Sequence, residues 1–186
     1  MKEKEFYSQK GTYNRVPLSK KIKAEKLIPI DIFDKFKSKG SYFLESAEVD
    51  MKWGRYSIIG LPSESSIKVK NSEIFLNLNG VEEKISSSDP LKFIENYLEE
   101  NFYPDTGDLP IFSGGLVGFF GYESIRLIET RLQNTSKNEA HEIEDINLII
   151  SDKVMIFDNL EKTLEIVFYS NQNIENSYAE TFSEID

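Results

Sequence analysis

Glu73-Ile-Phe-Leu-Asn-Leu-Asn-Gly-Val-Glu-Glu-Lys-Ile85 is the stretch that decides the fold class. Its Asn79-Gly80 dipeptide is strongly favoured in two-residue hairpin turns, because both turn residues need a positive φ. Apolar residues recur before the dipeptide, and Val81 begins the return strand. Residues 67–70, just upstream, have the same character. The stretch therefore predicts antiparallel strands that are joined by tight turns.

The rest of the chain continues in the same style. Runs rich in aromatic and β-branched residues predict further strands at 41–46, 55–60, 114–122, 146–157 and 164–169. We expect the last two to pair as a hairpin and 114–122 to be buried. Helical spacing predicts helices from Ile28 (with Asp31 available as its cap), from Asp89-Pro90, over 123–130 and from 173 onward. With few βαβ alternations, the order predicts an α+β fold of mainly antiparallel sheet with flanking helices.

Composition excludes several classes of protein. The absence of cysteine excludes a disulfide scaffold, a cysteine nucleophile and a thiolate metal site. The one histidine, His141, cannot build a multi-histidine metal site and is expected to lie in a solvated loop. A net charge of −10 disfavours nucleic acid as a partner. No stretch approaches the roughly 20 apolar residues of a membrane span. We expect a soluble, cytoplasmic, acidic domain without a metal site.

The chain divides by charge into residues 1–26 and residues 27–186. Eight of the 22 basic side chains lie in the first part, which also contains Pro17 and lacks an apolar run. This composition does not fit a targeting peptide, and we interpret 1–26 as an extended lead-in to a domain over 27–186. The chain stops inside a helical pattern without a cap, so we expect it to be part of a longer protein.

Glycines recur at every third position in the predicted strand 114–122. Gly115, Gly118 and Gly121 match neither the dinucleotide-binding fingerprint nor a P-loop. A phosphate site is one interpretation, and close approach of another backbone is the favoured one. We expect Gly118 to be buried against a neighbouring backbone.

The end of the predicted strand 41–46 carries polar chemistry. Glu45 offers a carboxylate, Ser46 offers a hydroxyl, and the next strand begins with Arg55, a natural partner for a carboxylate. Two interpretations stay open from these residues alone. They form a salt bridge at the strand ends, or they form a contact site for an amino acid.

Three blocks of the sequence resemble a known family in the same order and spacing. They are residues 13–18 (Tyr-Asn-Arg-Val-Pro-Leu), 43–60 (Phe-Leu-Glu-Ser to Arg-Tyr-Ser-Ile-Ile-Gly) and 114–129 (Gly-Gly-Leu-Val-Gly-Phe-Phe-Gly-Tyr-Glu and beyond). Together they resemble the N-terminal region of anthranilate synthase component I, a chorismate-utilising enzyme. The sister family, aminodeoxychorismate synthase component I, shares the glycine block, but the 43–60 block is more similar to the anthranilate branch.

The resemblance implies a two-part enzyme whose C-terminal chorismate-binding domain is absent from this chain. That domain carries the active site and the magnesium ligands, so no catalytic residue and no cofactor are expected here, and Mg²⁺ is implied for the full-length enzyme. The enzyme converts chorismate and ammonia to anthranilate and pyruvate, and a glutamine amidotransferase subunit supplies the ammonia.

The resemblance also implies a regulatory site for the inhibitor L-tryptophan. Leu44, Glu45 and Ser46 match the family's Leu-Glu-Ser block directly, while Phe43 replaces the usual preceding leucine. Arg55, Tyr56 and Ser57 are candidates for the contribution from the next strand. Two other functions stay open: a stand-alone amino-acid-binding module, and an interaction domain that docks the glutaminase.

Overall fold

The computed structural model describes residues 6, 13–45, 54–102, 112–132, 143–171, 173–175 and 177–185. The strands in these ranges are β1 (Arg15–Lys23), β2 (Tyr42–Glu45), β3 (Tyr56–Gly60), β4 (Ser66–Lys70), β5 (Glu73–Leu78), β6 (Val81–Ile85), β7 (Gly115–Phe120), β8 (Ile146–Ser151), β9 (Lys153–Asp158) and β10 (Thr163–Asn171). The helices are α1 (Pro29–Phe36), α2 (Pro90–Asn101) and α3 (Ser177–Ile185). The fold is α+β with antiparallel sheets, which confirms the predicted class.

The first sheet has the strand order β1-β10-β9-β3-β2, and all its pairs are antiparallel. β1 pairs with β10 along its whole length, from Arg15 opposite Asn171 to Lys23 opposite Thr163. Of the predicted lead-in over 1–26, the structure describes residue 6 and residues 13–26. Most of these belong to β1 and are thus part of the sheet. The division of the chain at residue 26 stays a prediction.

Apolar side chains of the first sheet pack against two helices. One cluster joins Ile32 of α1 to Ile59, Phe157 and Leu164. The Phe33 ring of α1 also stacks on the Phe43 ring, with centroids 5.6 Å apart. A second cluster joins Ile185 of α3 to buried residues of β1 and β10, namely Val16, Leu18 and Phe168. Burying a side chain of this size stabilises the fold by about 1.5–3 kcal/mol. The first cluster therefore holds β2 and β3 against α1, and the second holds β1 and β10 against α3.

The second sheet has the strand order β6-β5-β4-β8-β7. Asn79 (φ 51°) and Gly80 (φ 85°) form the turn between β5 and β6, and Leu78 lies opposite Val81. This is the two-residue hairpin that the sequence predicts. The Asn77 side chain accepts a hydrogen bond of 2.9 Å from the Gly80 N–H and secures the turn.

Two helix starts were predicted from caps, and they differ in outcome. Asp89 caps α2, since its carboxylate accepts a hydrogen bond of 3.0 Å from the Lys92 N–H. Asp31 does not cap α1, which contradicts the sequence-based expectation. The cap position belongs to Ile28, and Asp31 lies in the first turn, where its N–H donates to the Ile28 carbonyl at 3.1 Å. Pro29 at the first helical position presets the backbone for the helix, so α1 begins about one turn before the position predicted from Asp31.

The predicted single strand 146–157 is wrong. The chain leaves the second sheet after Ser151 and enters the first at Lys153, because Asp152 interrupts the run. β8 pairs with β4, whereas β9 pairs with β3 and β10. The Asp152 carboxylate accepts a hydrogen bond of 3.2 Å from Arg15. The Asp152 carbonyl accepts one of 2.8 Å from the Tyr169 N–H. Only 153–158 forms the predicted hairpin, with 163–168.

Strand β7 is exposed along part of its length, which corrects the prediction of a buried strand. It is the last strand of its sheet, and Phe119 and Phe120 are 43% and 55% exposed. Gly118 is exposed rather than buried. Its predicted close backbone neighbour is confirmed, since a Cβ at this position would lie 1.9 Å from the Asn147 carbonyl oxygen. The helix expected over 123–130 is a 3₁₀ segment, Tyr122–Leu127.

Contacts divide the chain into two compact units. One comprises residues 1–62, 99–115 and 151–186, and the other comprises 63–98 and 116–150. Within the described ranges, no helix is long and apolar enough to cross a membrane. Residues 103–111 and 133–142 lie outside the described residues, and so does the solvated loop predicted for His141.

Candidate functional site

Glu45 ends β2 at a defined place in the first sheet. It lies opposite Ser57 of β3, and its exposed carboxylate accepts a hydrogen bond of 3.0 Å from the Ser57 hydroxyl. Phe43, two residues earlier, packs in the core, and Leu44 is 46% exposed opposite Ile58. Strand alternation therefore places Glu45 on the Phe43 side of the sheet, at the margin of the core.

Ser57 is fully buried and connects Glu45 to a remote turn. Its hydroxyl accepts a hydrogen bond of 3.0 Å from the side-chain amide of Asn159, the residue that follows β9. The Asn159 N–H donates to the Arg55 carbonyl at 2.8 Å, so the turn is also bound to the start of β3. We call Glu45, Ser57 and Asn159 the strand-end network.

Arg55 belongs to a neighbouring group that we call the arginine cluster, formed by Arg55, Asp158 and Glu161. The Arg55 guanidinium donates to both carboxylate oxygens of Asp158, with its shortest contact at 2.6 Å, and to Glu161 at 3.1 Å. It also lies over the Tyr56 ring, 5.1 Å from the centroid. Paired contacts of this kind are strong because they are charge-assisted and directional.

The arginine cluster fixes the charge state of its members. Burial alone would raise the pKa of Asp158. The hydrogen bond from Arg55, the N–H groups of Glu161 and Leu160, and the charge of Arg55 outweigh it, so the pKa lies below its ordinary value. The hydrogen bond with Asp158 is also the main reason that the pKa of Arg55 is raised. Asp158 and Arg55 thus stay ionised across the neutral range.

The structure brings together part of the set of site residues that the sequence predicts. Glu45 and Ser57 lie on one face at adjoining ends of β2 and β3, and Arg55 directly precedes β3. Leu44 and Tyr56 stand on the other face of the sheet. Ser46 lies outside the described residues. The salt bridge at the strand end joins Arg55 to Asp158 rather than to Glu45, so the Glu45 carboxylate is left facing solvent.

The structure gives no support for a metal site or for a phosphate site at the glycines of β7 within the described residues. No group of three or more potential metal ligands occurs in the described part of the chain. Gly118 and Gly121 meet backbone carbonyls of Asn147 and Asp145, and this accounts for the absence of side chains there. His141 lies outside the described residues.

Sequence reasoning missed Asp158, Asn159 and Glu161, which it treated only as a connection between strands. An Asp-Asn pair after a strand is typical of a turn, and nothing local relates it to Arg55 or Ser57. The pairing of β3 with β9 that brings them together joins residues about 100 positions apart in sequence.

Comparisons with known proteins bear on the identity of the chain. No family model matches it. It is 39% identical over 168 residues to anthranilate synthase component 1 of Pseudomonas aeruginosa, a match that covers 89% of this chain and 34% of the relative. It is 34% identical to the protein of that name in Acinetobacter calcoaceticus, with 94% of this chain and 36% of the relative covered.

A solved structure shows the same fold. The crystal structure of anthranilate synthase component I from Streptococcus pneumoniae TIGR4 matches with a TM-score of 0.51 and 24% identity, over 88% of this chain and 36% of that one. The chain thus spans about a third of the length of the proteins that it matches. Over that length, it is a homologue of anthranilate synthase component I.

Proposed function

We propose that this chain is the N-terminal, tryptophan-sensing part of an anthranilate synthase component I. The observation that carries the proposal is the Glu45 carboxylate, which Ser57 holds at the end of β2 while it stays exposed. A zwitterionic amino acid needs an anionic partner for its ammonium group, and Glu45 supplies one. Ser46 and nearby N–H groups supply donors for its carboxylate, and neighbouring aromatic residues contact the indole.

The whole enzyme, in this proposal, converts chorismate and ammonia to anthranilate and pyruvate in tryptophan biosynthesis. The chorismate site and the Mg²⁺ ligands lie in a C-terminal domain beyond this chain, and a glutamine amidotransferase subunit delivers the ammonia. The lengths of the homologues support this division, since this chain spans only about a third of each. The enzyme works in the cytoplasm.

Feedback inhibition follows from differential binding. Tryptophan inhibits because it binds the less active state of the enzyme more tightly, and its effect cannot exceed that difference in affinity. Part of its pocket comes from the C-terminal domain, so the 186-residue chain alone binds tryptophan weakly. Arg55 contributes mainly through position, because Asp158 and Glu161 already occupy its guanidinium.

Substitution of Glu45 in the full-length enzyme tests the proposal. Glu45→Ala removes the ammonium partner, and hydrogen bonds to charged groups contribute about 1.5–3 kcal/mol. The tryptophan inhibition constant should therefore rise by on the order of 10- to 100-fold. Ser46→Arg adds bulk and positive charge beside the ammonium group and should raise it further. Uninhibited turnover should change little in both variants.

A purely structural role for Glu45 gives a different result. Melting temperature and turnover would then fall together, and the dose–response curve for tryptophan would stay in place.

The product of the reaction separates the two branches of the family, because the sister enzyme would release aminodeoxychorismate instead of anthranilate. A domain with an interaction role alone would bind no tryptophan, either as the 186-residue chain or within the full-length protein.

A further inference from the structure

We infer that Asn159 is a positioning residue of the tryptophan site, which acts on Glu45 through the hydroxyl of Ser57. The inference rests on the proposed function, and it adds a residue from a turn that is remote in sequence. The path is short: Asn159 Nδ2 to Ser57 Oγ is 3.0 Å, and Ser57 Oγ to Glu45 Oε1 is 3.0 Å.

The direction of these hydrogen bonds gives Asn159 its role. A serine hydroxyl has one proton to donate and two lone pairs to accept with. Because the Asn159 amide donates to the Ser57 oxygen, the Ser57 proton is left for the Glu45 carboxylate. Linked hydrogen bonds polarise each other and become stronger. Ser57 is fully buried, so water does not compete for its hydroxyl.

The turn that carries Asn159 is itself held in place. The Asn159 N–H donates to the Arg55 carbonyl at 2.8 Å. Asp158 Oδ1 accepts from the N–H groups of Leu160 and Glu161 at 3.0 Å each, while the Asp158 carboxylate binds Arg55. The arginine cluster thus secures the turn to the first residues of β3, and the amide of Asn159 stays directed at Ser57.

Positioning matters because Glu45 is exposed. A solvated glutamate occupies several rotamers, and fixing one of them on ligand binding reduces the affinity. The hydrogen bond from Ser57 selects a rotamer before the ligand arrives. The loss of Asn159 should therefore weaken tryptophan binding without removing a ligand contact.

The test uses the full-length enzyme and measures the tryptophan inhibition constant. Asn159→Ala should raise it about 2- to 10-fold, the equivalent of one net hydrogen bond. Asn159→Asp keeps the size of the side chain and replaces the donor by an acceptor, so the constant should rise even if Asn159→Ala folds poorly. In a Glu45→Ala background, either substitution should change the constant by less than about 2-fold, since it acts through Glu45.

Asn77→Ala is the matched control. Asn77 is also a half-buried asparagine whose side chain secures a hairpin turn, but it belongs to the β5–β6 turn. Its loss should lower the melting temperature and leave the inhibition constant unchanged. If Glu45→Ala shifts the constant while both Asn159 variants leave it unchanged, the inference is wrong and the proposed function stands. If the Asn159 effect persists in full without Glu45, the inference is also wrong. If Glu45→Ala shifts nothing, both fail.

Discussion

The phenol of Tyr42 and the hydroxyl of Ser151 share a hydrogen bond of 2.7 Å between their oxygens, although they lie 109 residues apart in sequence. Burial raises the pKa of Tyr42 to about 12, and the hydrogen bond with Ser151 offsets only part of that effect. The same ring covers Gly60 opposite it in β3. This contact gives two measurable consequences.

The first prediction is a loss of stability in alkali. The unfolded chain loses the Tyr42 proton near pH 10, whereas the folded chain keeps it to about pH 12. The contribution of the neutral phenol is therefore complete below pH 10 and is lost as the pH rises toward 12. The loss amounts to on the order of 2 kcal/mol at the top of that window.

Urea unfolding of the wild type and of Tyr42→Phe, at pH values from neutral to about 11.5, checks this prediction. The variant lacks the ionisable group, so its free energy of unfolding should fall less steeply with pH. The remaining tyrosines contribute equally to both proteins. Parallel curves would contradict the raised pKa.

The second prediction concerns Gly60. A Cβ at this position would lie 1.9 Å from Cε1 of the Tyr42 ring, and the hydrogen bond to Ser151 keeps that ring from moving away. Gly60→Ala should lower the free energy of unfolding by about 1–3 kcal/mol through overpacking. In a Tyr42→Ala background the same substitution should cost much less, because the ring is gone. An equal cost in both backgrounds would rule out this contact as the cause.

The third prediction concerns Gly118 in β7. Gly118→Val should destabilise the chain by about 1–3 kcal/mol, because the nearest atom is a backbone oxygen of Asn147 that cannot rotate out of the way. Gly121→Ala serves as a milder comparison, since its Cβ would lie 3.1 Å from the Asp145 carbonyl oxygen. Thermal unfolding of both variants decides the matter, and a neutral Gly118→Val would refute the close approach.

The fourth prediction concerns the arginine cluster. Arg55→Gln leaves the buried Asp158 carboxylate without its cation and should lower stability at neutral pH by about 1–3 kcal/mol. Because the pKa of Asp158 is lowered in the fold, its contribution is present above the unfolded value of 3.8 and is lost as the pH falls through the folded value. Adding Asp158→Asn to Arg55→Gln should recover part of the stability. Acid unfolding curves of the three proteins measure both effects.

The fifth prediction is that the 186-residue chain forms no anthranilate from chorismate, with either ammonia or glutamine and with Mg²⁺ present. This prediction rests on the proposal that the chorismate site and the Mg²⁺ ligands lie beyond this chain, which spans about a third of the length of its homologues. Anthranilate fluorescence gives a direct readout, with the full-length enzyme as the positive control. Product formation by the pure chain would overturn the proposal that catalysis belongs to a C-terminal domain.

Features encoded by neighbouring residues could be predicted from the sequence. The Asn79-Gly80 turn needs two positive φ angles, and the start of α2 needs an Asp followed by a Pro, so both follow from local conformation. Glu45 and Ser57 could also be identified as candidate site residues, since both lie at the ends of strands that are neighbours in sequence.

Features that depend on distant partners could not be predicted. The break between β8 and β9 at Asp152 depends on contacts with Arg15 and Tyr169. The apolar residues on both sides of Asp152 do not indicate that the strand ends there. Asn159 contacts Ser57 only because β9 pairs with β3. The exposure of β7 follows from its place at the end of a sheet order, which periodicity alone does not define.

The pairing of β1 with β10 determines when the first sheet can form. Arg15 meets Asn171 across nearly the whole chain, so this strand pair is highly non-local and cannot form until the last strand has been synthesised. The strands of the second sheet all lie between residues 66 and 151. On the ribosome, all five strands of that sheet leave the exit tunnel before β10 does. β1 leaves the tunnel before the other strands of its sheet and stays without its partner until β10 follows.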